Sequence, residues 1–535
     1  MPAPAEPIRL EGSPAPPPGQ RSWHARLRAL PDRPRLLGVL ALLPALAFAL
    51  MAAAPPLNHD VAAILNFAER WVAGEQLYAE LIDVNPPLIF VLAAIPAGLA
   101  ALAGLPTIPV WLAFVAAALL LAWHWTARLR DPAAEGPVAR AVLHAAIPFT
   151  LVLAAYDVGQ REHLMALFAI PYAFLAARRA EARATPRALA FGVTLAAALG
   201  FALKPHFLAV PALVEALVLA RRGRAAWRDP LPWTMAAIWL AYLASLPALF
   251  PAYLDTVLPL VGDYYLGNHV FGWFDVLLGP LLGGATATLL AALALLIWPG
   301  AGVRAWMLGA VGLGALASAW VQHKGWTYHI VPIAMASALL AAEVIGRWLD
   351  TALPPARALR NATLLALALV TGLAIAHLRG ESPWRQIWYW QLRDGQLALA
   401  LKREVAGERL LVLSPDIYPV HPALTYARAR STLRTMNSWM LVGAYATCPE
   451  GSARYRETWE MARPEFFIYR TVAEDFARAP PAGVLVANDQ GIPRCGDEAF
   501  DPIAYFSRHP AFAATWRRYT RVVILDTYRL FLPED

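Results

Sequence analysis

Long apolar runs alternate with short polar segments over the first two-thirds of the chain. The runs fall at about 36–54, 87–104, 108–127, 138–155, 163–177, 188–203, 206–220, 231–250, 275–298, 305–321, 330–346 and 362–378. Runs of about 19 residues, at about 1.5 Å per residue, match the roughly 30 Å hydrocarbon core of a bilayer. The pattern predicts an α-helical polytopic membrane protein. Beyond residue 379 it changes. Strand-like runs at Arg409–Leu413, Val484–Ala487 and Val522–Leu525 stand between helical and turn-rich stretches, predicting a small α/β domain. Three units are expected: a disordered, basic, proline-rich tail over 1–35, a transmembrane module over 36–378, and the C-terminal domain over 379–535.

Composition supports this division. The chain is 59% hydrophobic and only 16% charged, against about 25% charged in soluble proteins. Its net charge of +7 does not point to nucleic acid, because the arginines cluster beside apolar runs. That is how topology signals are distributed. Arg128, Arg130 and Arg140, the 178–187 loop, the 221–228 loop, Arg304, and Arg347, Arg357 and Arg360 mark the cytoplasmic ends. The N-terminus is then cytoplasmic and the C-terminal domain exported, which in a bacterial inner membrane means periplasmic. One parity conflict follows: residues 55–86 lie outside and 128–140 inside, yet two apolar runs separate them. The run 87–104 opens with Pro86-Pro87 and is broken by Pro96, so it is predicted to be an interfacial or re-entrant helix; the alternative is that one basic loop breaks the rule. About eleven crossings remain by the positive-inside rule. The only cysteines, Cys448 and Cys495, both fall in the exported part. A disulfide is open to them there.

The costly polar residues collect in the outward loops. Asn58-His59-Asp60 follows the first span and leads into the amphipathic stretch Val61 to Trp71, expected to lie along the membrane interface. The second outward loop reads Tyr156-Asp157-Val158-Gly159-Gln160-Arg161-Glu162-His163. Lys204-Pro205-His206 splits two short spans, and Gln322-His323-Lys324-Gly325-Trp326-Thr327-Tyr328-His329 fills a fourth position.

Asp60 after the first span, the amphipathic helix, the sequence Asn85-Pro86-Pro87-Leu88, and the acid-bearing second loop resemble the GT-C superfamily of membrane glycosyltransferases. The likeness is greatest to the branch holding protein O-mannosyltransferases and the aminoarabinose transferase of lipid A. The resemblance implies inverting transfer of a sugar from a polyprenyl-phosphate donor to a hydroxyl of a glycan, lipid or protein acceptor. It assigns Asp60 as the base. Arg161, Lys204 and Lys324 would hold the departing phosphate, with His206, His323 and His329 as further donors, while Asp157 or Glu162 would orient the acceptor or anchor Arg161. Many members carry a second acid beside the first-loop aspartate, where this chain has His59. A monophosphate can be neutralised by Arg and Lys, so no cofactor is required, and a divalent metal stays open.

Each reading has a plainer rival. Asp60 fits an N-cap, Arg161-Glu162 a local ion pair, Lys204 a snorkelling side chain, the 323–329 histidines an interfacial belt, and Asp83 a solvated loop residue. As whole functions, a lipid or polysaccharide transporter, a flippase and a polysaccharide ligase are the alternatives. No Gly-rich phosphate cradle, nucleophile elbow or HExxH stands in the chain.

Overall fold

The computed structural model describes residues 46, 49–50, 54–131, 135–265, 271–352, 388–446, 453–495 and 498–534. The expected first span, the 362–378 run and Cys448 therefore lie largely or wholly outside the described residues.

The apolar runs form helices: α1 His59–Val72, α2 Pro87–Ala103, α3 Thr107–Leu129, α4 Pro137–Ala154, α5 Arg161–Ala180, α6 Arg187–Ala202, α7 Ala209–Arg222, α8 Pro230–Leu249, α9 Leu282–Ala294, α10 Gly302–Trp320 and α11 Ile330–Ala352. Among the described residues, five helical stretches are long and apolar enough to cross a membrane. The helices alternate in direction, so their ends sort onto two faces. The arginine-bearing ends fall together. Arg183 reaches Asp131 at 3.0 Å, Arg179 reaches Asp229 at 2.6 Å, and Arg304 joins Glu135 and Glu343. Asp350 accepts from the backbone amides of Val138 and Ala139, both at 2.9 Å, and so caps the start of α4. The 155–161 loop, the 203–208 junction and the 321–329 loop lie at the other end.

The 87–104 run is one continuous helix that ends at Gly104 in the left-handed conformation (φ 66°). Asn85, just before α2, bonds Arg161. Thr107, just after it, bonds Glu69 of α1, and Trp111 lies against Gly159. Both ends of α2 thus sit on the Asp60 face. Its exposed stripe Val91, Ile95, Leu99 and Leu102 is apolar, as a lipid-facing surface requires. For α1 the interfacial expectation needs correction. Every residue from Val61 to Ala68 is buried, because α2 covers one side of the helix and the C-terminal unit the other.

Small residues set the helix packing. A Cβ on Gly346 of α11 would come within 2.8 Å of the Ala139 backbone of α4, and one on Gly314 of α10 within 2.5 Å of the Val210 backbone of α7. Such contacts substitute for a hydrophobic drive that lipid does not supply.

The C-terminal unit holds α12 Arg393–Val405, β1 Arg409–Leu413, α13 Val420–Ala427, β2 Arg430–Ser431, α14 Arg463–Arg478, β3 Gly483–Ala487, β4 Tyr519–Leu525 and β5 Tyr528–Pro533. The sheet order is β2-β1-β3-β5-β4, parallel across the first three and antiparallel at β5 and β4. Leu411 and Leu413 face one core, and Leu410 and Val412 the other. Burial on both faces explains why β1 and β3 read as unbroken apolar runs rather than alternating ones. Cys495 is disulfide-bonded.

Glu343 is fully buried and answers Arg304 at 2.9 Å and Arg347 at 3.4 Å. Removing one partner of a buried pair leaves uncompensated charge. Glu343→Gln is expected to destabilise the bundle by about 3–5 kcal/mol, read as a lower unfolding midpoint in detergent.

Candidate active site

The loop residues become a site because one side chain organises several. Asn58 caps α1, accepting from the amides of Asp60 at 3.0 Å and Val61 at 3.3 Å. It donates to Asp157 at 3.0 Å and accepts from Gln160 at 2.8 Å. The first and second outward loops are thereby bolted together. Asp60 is not the cap; its carboxylate stands in the first helical turn, where the helix dipole favours a negative charge. It accepts from Gln160 at 3.0 Å and faces Arg161 at 3.5 Å and His59 at 3.7 Å. Its side chain keeps 16% exposure, whereas Asp157, Arg161 and Glu162 are buried. Burial alone would raise the Asp60 carboxyl, but His59, Arg161 and the Gln160 hydrogen bond outweigh it and hold the pKa below the usual value.

Arg161 is oriented by more than Asp60. It donates to the Asn85 carboxamide oxygen, and Asn85 in turn donates to Asp83 through its side chain at 2.6 Å and its backbone at 2.8 Å. Asp83 was expected to be solvated. Instead it belongs to this chain of bonds, and burial pushes its carboxyl up in spite of the two hydrogen bonds from Asn85.

Glu162 turns to a different partner, pairing with Lys204 at 2.5 Å. Lys204 also stands 4.9 Å from the centre of the Tyr328 ring, and Arg161 lies 6.0 Å from the same ring. Two cations thus share one aromatic ring. Lys324 is buried over Trp326 at 4.9 Å. Burial, then repulsion from Lys204, pushes its pKa down to about 7. His206 and His329 feel the charge of Lys204 and Arg161. Both ring nitrogens of His329, and Nε2 of His206, are buried without a hydrogen-bond partner among the described residues. His323 turns elsewhere, to the Phe271 carbonyl at 3.1 Å and the Trp273 ring at 3.7 Å.

The structure thus brings together His59, Asp60, Asp157, Arg161, Glu162, Lys204, His206, Lys324 and His329, and sets His323 against a neighbouring loop. Sequence reasoning passed over Gln160 and the orienting role of Asn58, though an Asn two residues before an acid at a helix start is an N-cap signal. It also passed over the C-terminal unit's share. Tyr418 stands edge-on to the His59 ring at 5.9 Å, and buried His421 lies within electrostatic reach of His59 and Asp60. No local pattern marks these two. The unit is held there by Tyr426, which accepts from the Leu57 amide at 2.9 Å, by Arg70 donating to the Leu433 carbonyl at 2.9 Å, and by the Ile82 amide on the Arg434 carbonyl at 2.6 Å. Among the described residues, no group of three or more His, Cys, Asp or Glu side chains is arranged to hold a metal ion.

A bundle with two loop helices on one face, a polar cluster beside them and a terminal α/β unit docked on the first outward loop is a fold already seen among solved structures. ArnT from Cupriavidus metallidurans, solved bound to undecaprenyl phosphate, shares the fold with a TM-score of 0.54 and 13% identity, covering 93% of this chain and 97% of that one. Weaker likenesses are AglB from Archaeoglobus fulgidus, solved with an inhibitory peptide and a dolichol-phosphate (TM-score 0.45, 12% identity, 96% and 75% covered), and the arabinofuranosyltransferase AftD from Mycobacteria (0.40, 16%, 94% and 40%). No protein-family model matches the sequence, and no curated protein does.

Asn58→Ala removes the α1 cap and one donor to buried Asp157. Together these are expected to cost about 2–4 kcal/mol, measured as a lower thermal unfolding midpoint of the purified protein.

Proposed function

We propose that the chain transfers a sugar from a polyprenyl-phosphate donor to an acceptor hydroxyl at the non-cytoplasmic face of a bacterial inner membrane, with inversion at the anomeric carbon. The observation that carries this reading is the adjacency of two opposite needs. Asp60 is an ionised, partly exposed carboxylate, and beside it Arg161, Lys204 and Lys324 form a buried positive pocket with unpaired histidine nitrogens. A phosphate seated in that pocket would relieve the repulsion between Lys204 and Lys324 and give His206 and His329 an acceptor.

In this mechanism the acceptor hydroxyl gives its proton to Asp60 as its oxygen bonds the anomeric carbon. The bond from that carbon to the donor phosphate oxygen breaks, and its electron pair leaves with the polyprenyl phosphate. The cations stabilise that developing charge where water is largely excluded. Keeping Asp60 ionised suits a base, and its contact with Arg161 would set it beside a phosphate held by that guanidinium. Asp157 and Glu162 act indirectly, Asp157 by fixing Asn58 and Glu162 by fixing Lys204. Orientation follows from the arginine-bearing loops, which collect on the face opposite Asp60 as cytoplasmic loops do. The ArnT likeness supports a lipid-phosphate donor.

Purified protein offered a panel of polyprenyl-phosphate sugars should transfer or slowly hydrolyse at least one. Asp60→Asn is expected to lower kcat by roughly 10²–10⁴-fold with little change in binding of polyprenyl phosphate. A fully active Asp60→Asn would remove the base from the mechanism.

Lys324 supplies a pH dependence. Its ammonium is the form that attracts phosphate, and in the free protein it is lost near pH 7 rather than in the usual lysine range. Affinity for polyprenyl phosphate should therefore fall as pH rises through about 7, at most about tenfold per pH unit. Lys324→Gln should bind more weakly and lose that slope, which titration calorimetry in detergent would show.

A further inference from the structure

A second charged recess lies at the far end of the bundle. Helix α5 starts in the candidate active site at Arg161 and runs 20 residues, about 30 Å at 1.5 Å per residue. Its last turn, the 181–187 loop, the start of α6 and the 222–231 connection enclose a cavity of 620 Å³. Arg179, Arg183, Arg187, Arg222 and Arg228 line it, against one lining carboxylate, Asp229.

The ion pairs show which of these charges are already answered. Arg179 is held by Glu215 and Asp229, both at 2.6 Å, and Arg222 also reaches Asp229, at 3.8 Å. Arg183 meets Asp131 and Glu181, each at 3.0 Å. Arg187 and Arg228 make no ion pair among the described residues. The remainder is a cavity with two uncompensated guanidinium groups at its rim, suited to the bidentate grip that Arg offers a phosphate.

The rest of the lining is not built for a soluble anion. Leu175, Phe191 and Leu231 form apolar wall, and Phe191 is 53% exposed. Beside it Trp227 and Trp233, 60% and 56% exposed, stand 6.0 Å apart. Beyond Trp233, α8 presents Leu240, Leu243 and Leu249 outward. Exposed tryptophans mark the headgroup level of a bilayer, and the leucines beyond them mark its acyl region. The recess is thus phosphate-seeking at one end and continuous with lipid-facing surface at the other, as in basic pockets that seat anionic headgroups between helices.

We propose that this cavity binds the phosphate of an anionic glycerophospholipid from the leaflet opposite the transfer site, with Arg187 and Arg228 gripping the headgroup and the acyl chains lying along α8. The proposal does not depend on the transfer reaction, since the two sites lie at opposite ends of α5 and α6.

The test is native mass spectrometry of the full-length protein in detergent, titrated separately with phosphatidylglycerol, phosphatidylcholine and inorganic phosphate. A one-to-one phosphatidylglycerol adduct is expected, several-fold tighter than phosphatidylcholine. Neutralising each arginine should weaken it about fivefold, so Arg187→Gln with Arg228→Gln should lose some thirtyfold. Arg224→Gln, in the same connection but not lining the cavity, should change affinity less than twofold. The unfolding midpoint without lipid verifies that the variants fold. Equal binding of phosphatidylcholine, or equal loss with Arg224→Gln, would overturn the site. Binding of inorganic phosphate as tight as the lipid would overturn the lipid as its source.

Discussion

Everything at the mouth of the bundle follows from the cost of burying charge. Arg161, Lys204 and Lys324 are withdrawn from water at the ends of apolar helices, where an ammonium or guanidinium persists only if something answers it. Glu162 answers Lys204, and Asp60 with the Asn85 carboxamide answers Arg161. Burial and repulsion from Lys204 still push the Lys324 ammonium toward its neutral form. A site fully neutralised by its own carboxylates would hold a phosphate poorly, and one with none would not fold around three cations. The observed balance lies between, and it leaves the Asp60 carboxyl below its usual pKa while it faces Arg161.

That balance depends on side chains carrying no charge. Asn58 and Gln160 each donate to a carboxylate, and Gln160 donates to Asn58 as well, so that loops a hundred residues apart in sequence meet with their acids oriented. Asn85 passes Asp83's charge on to Arg161 without bringing a third carboxylate against the guanidinium. Neutral amides suit this work because each both donates and accepts.

The sequence disclosed more of the frame than of these connections. Apolar run lengths and arginine placement located the helices and the face bearing the polar loops, because both are written in consecutive residues. The 87–104 run is a single helix, α2, whose two ends share the Asp60 face. Strands β1, β3 and β4 were visible as apolar runs, whereas β2, two residues long, and β5 were not. The interfacial reading of α1 failed for a physical reason. Amphipathic spacing shows which face seeks apolar company and says nothing of whether lipid or protein supplies it. Asp83 was passed over because its importance lies in a partner's partner, and no spacing rule reaches that far. Tyr418 and His421 lie some 360 residues from Asp60 in sequence and reach it only through the docking of the C-terminal unit.

The docking of that unit is itself an argument about acceptor access. It is fastened to the membrane module at Leu57, Arg70 and Ile82, all within the first outward loop, and together with α2 it covers α1, so that an amphipathic helix becomes a buried one. His59 and Asp60 keep 33% and 16% exposure beneath it, while Arg161, Lys204 and Lys324 are buried. On the proposed reading the donor phosphate belongs with the buried cations, on the membrane side, and the acceptor hydroxyl must come through the opening bounded by His59, Tyr418 and the C-terminal unit. A base at the boundary between a closed anion pocket and an open mouth can act on a hydroxyl arriving from outside while the leaving group stays out of water. Acceptor choice would then rest with residues around Tyr418 and His421, and donor choice with the helices, so the two could change independently.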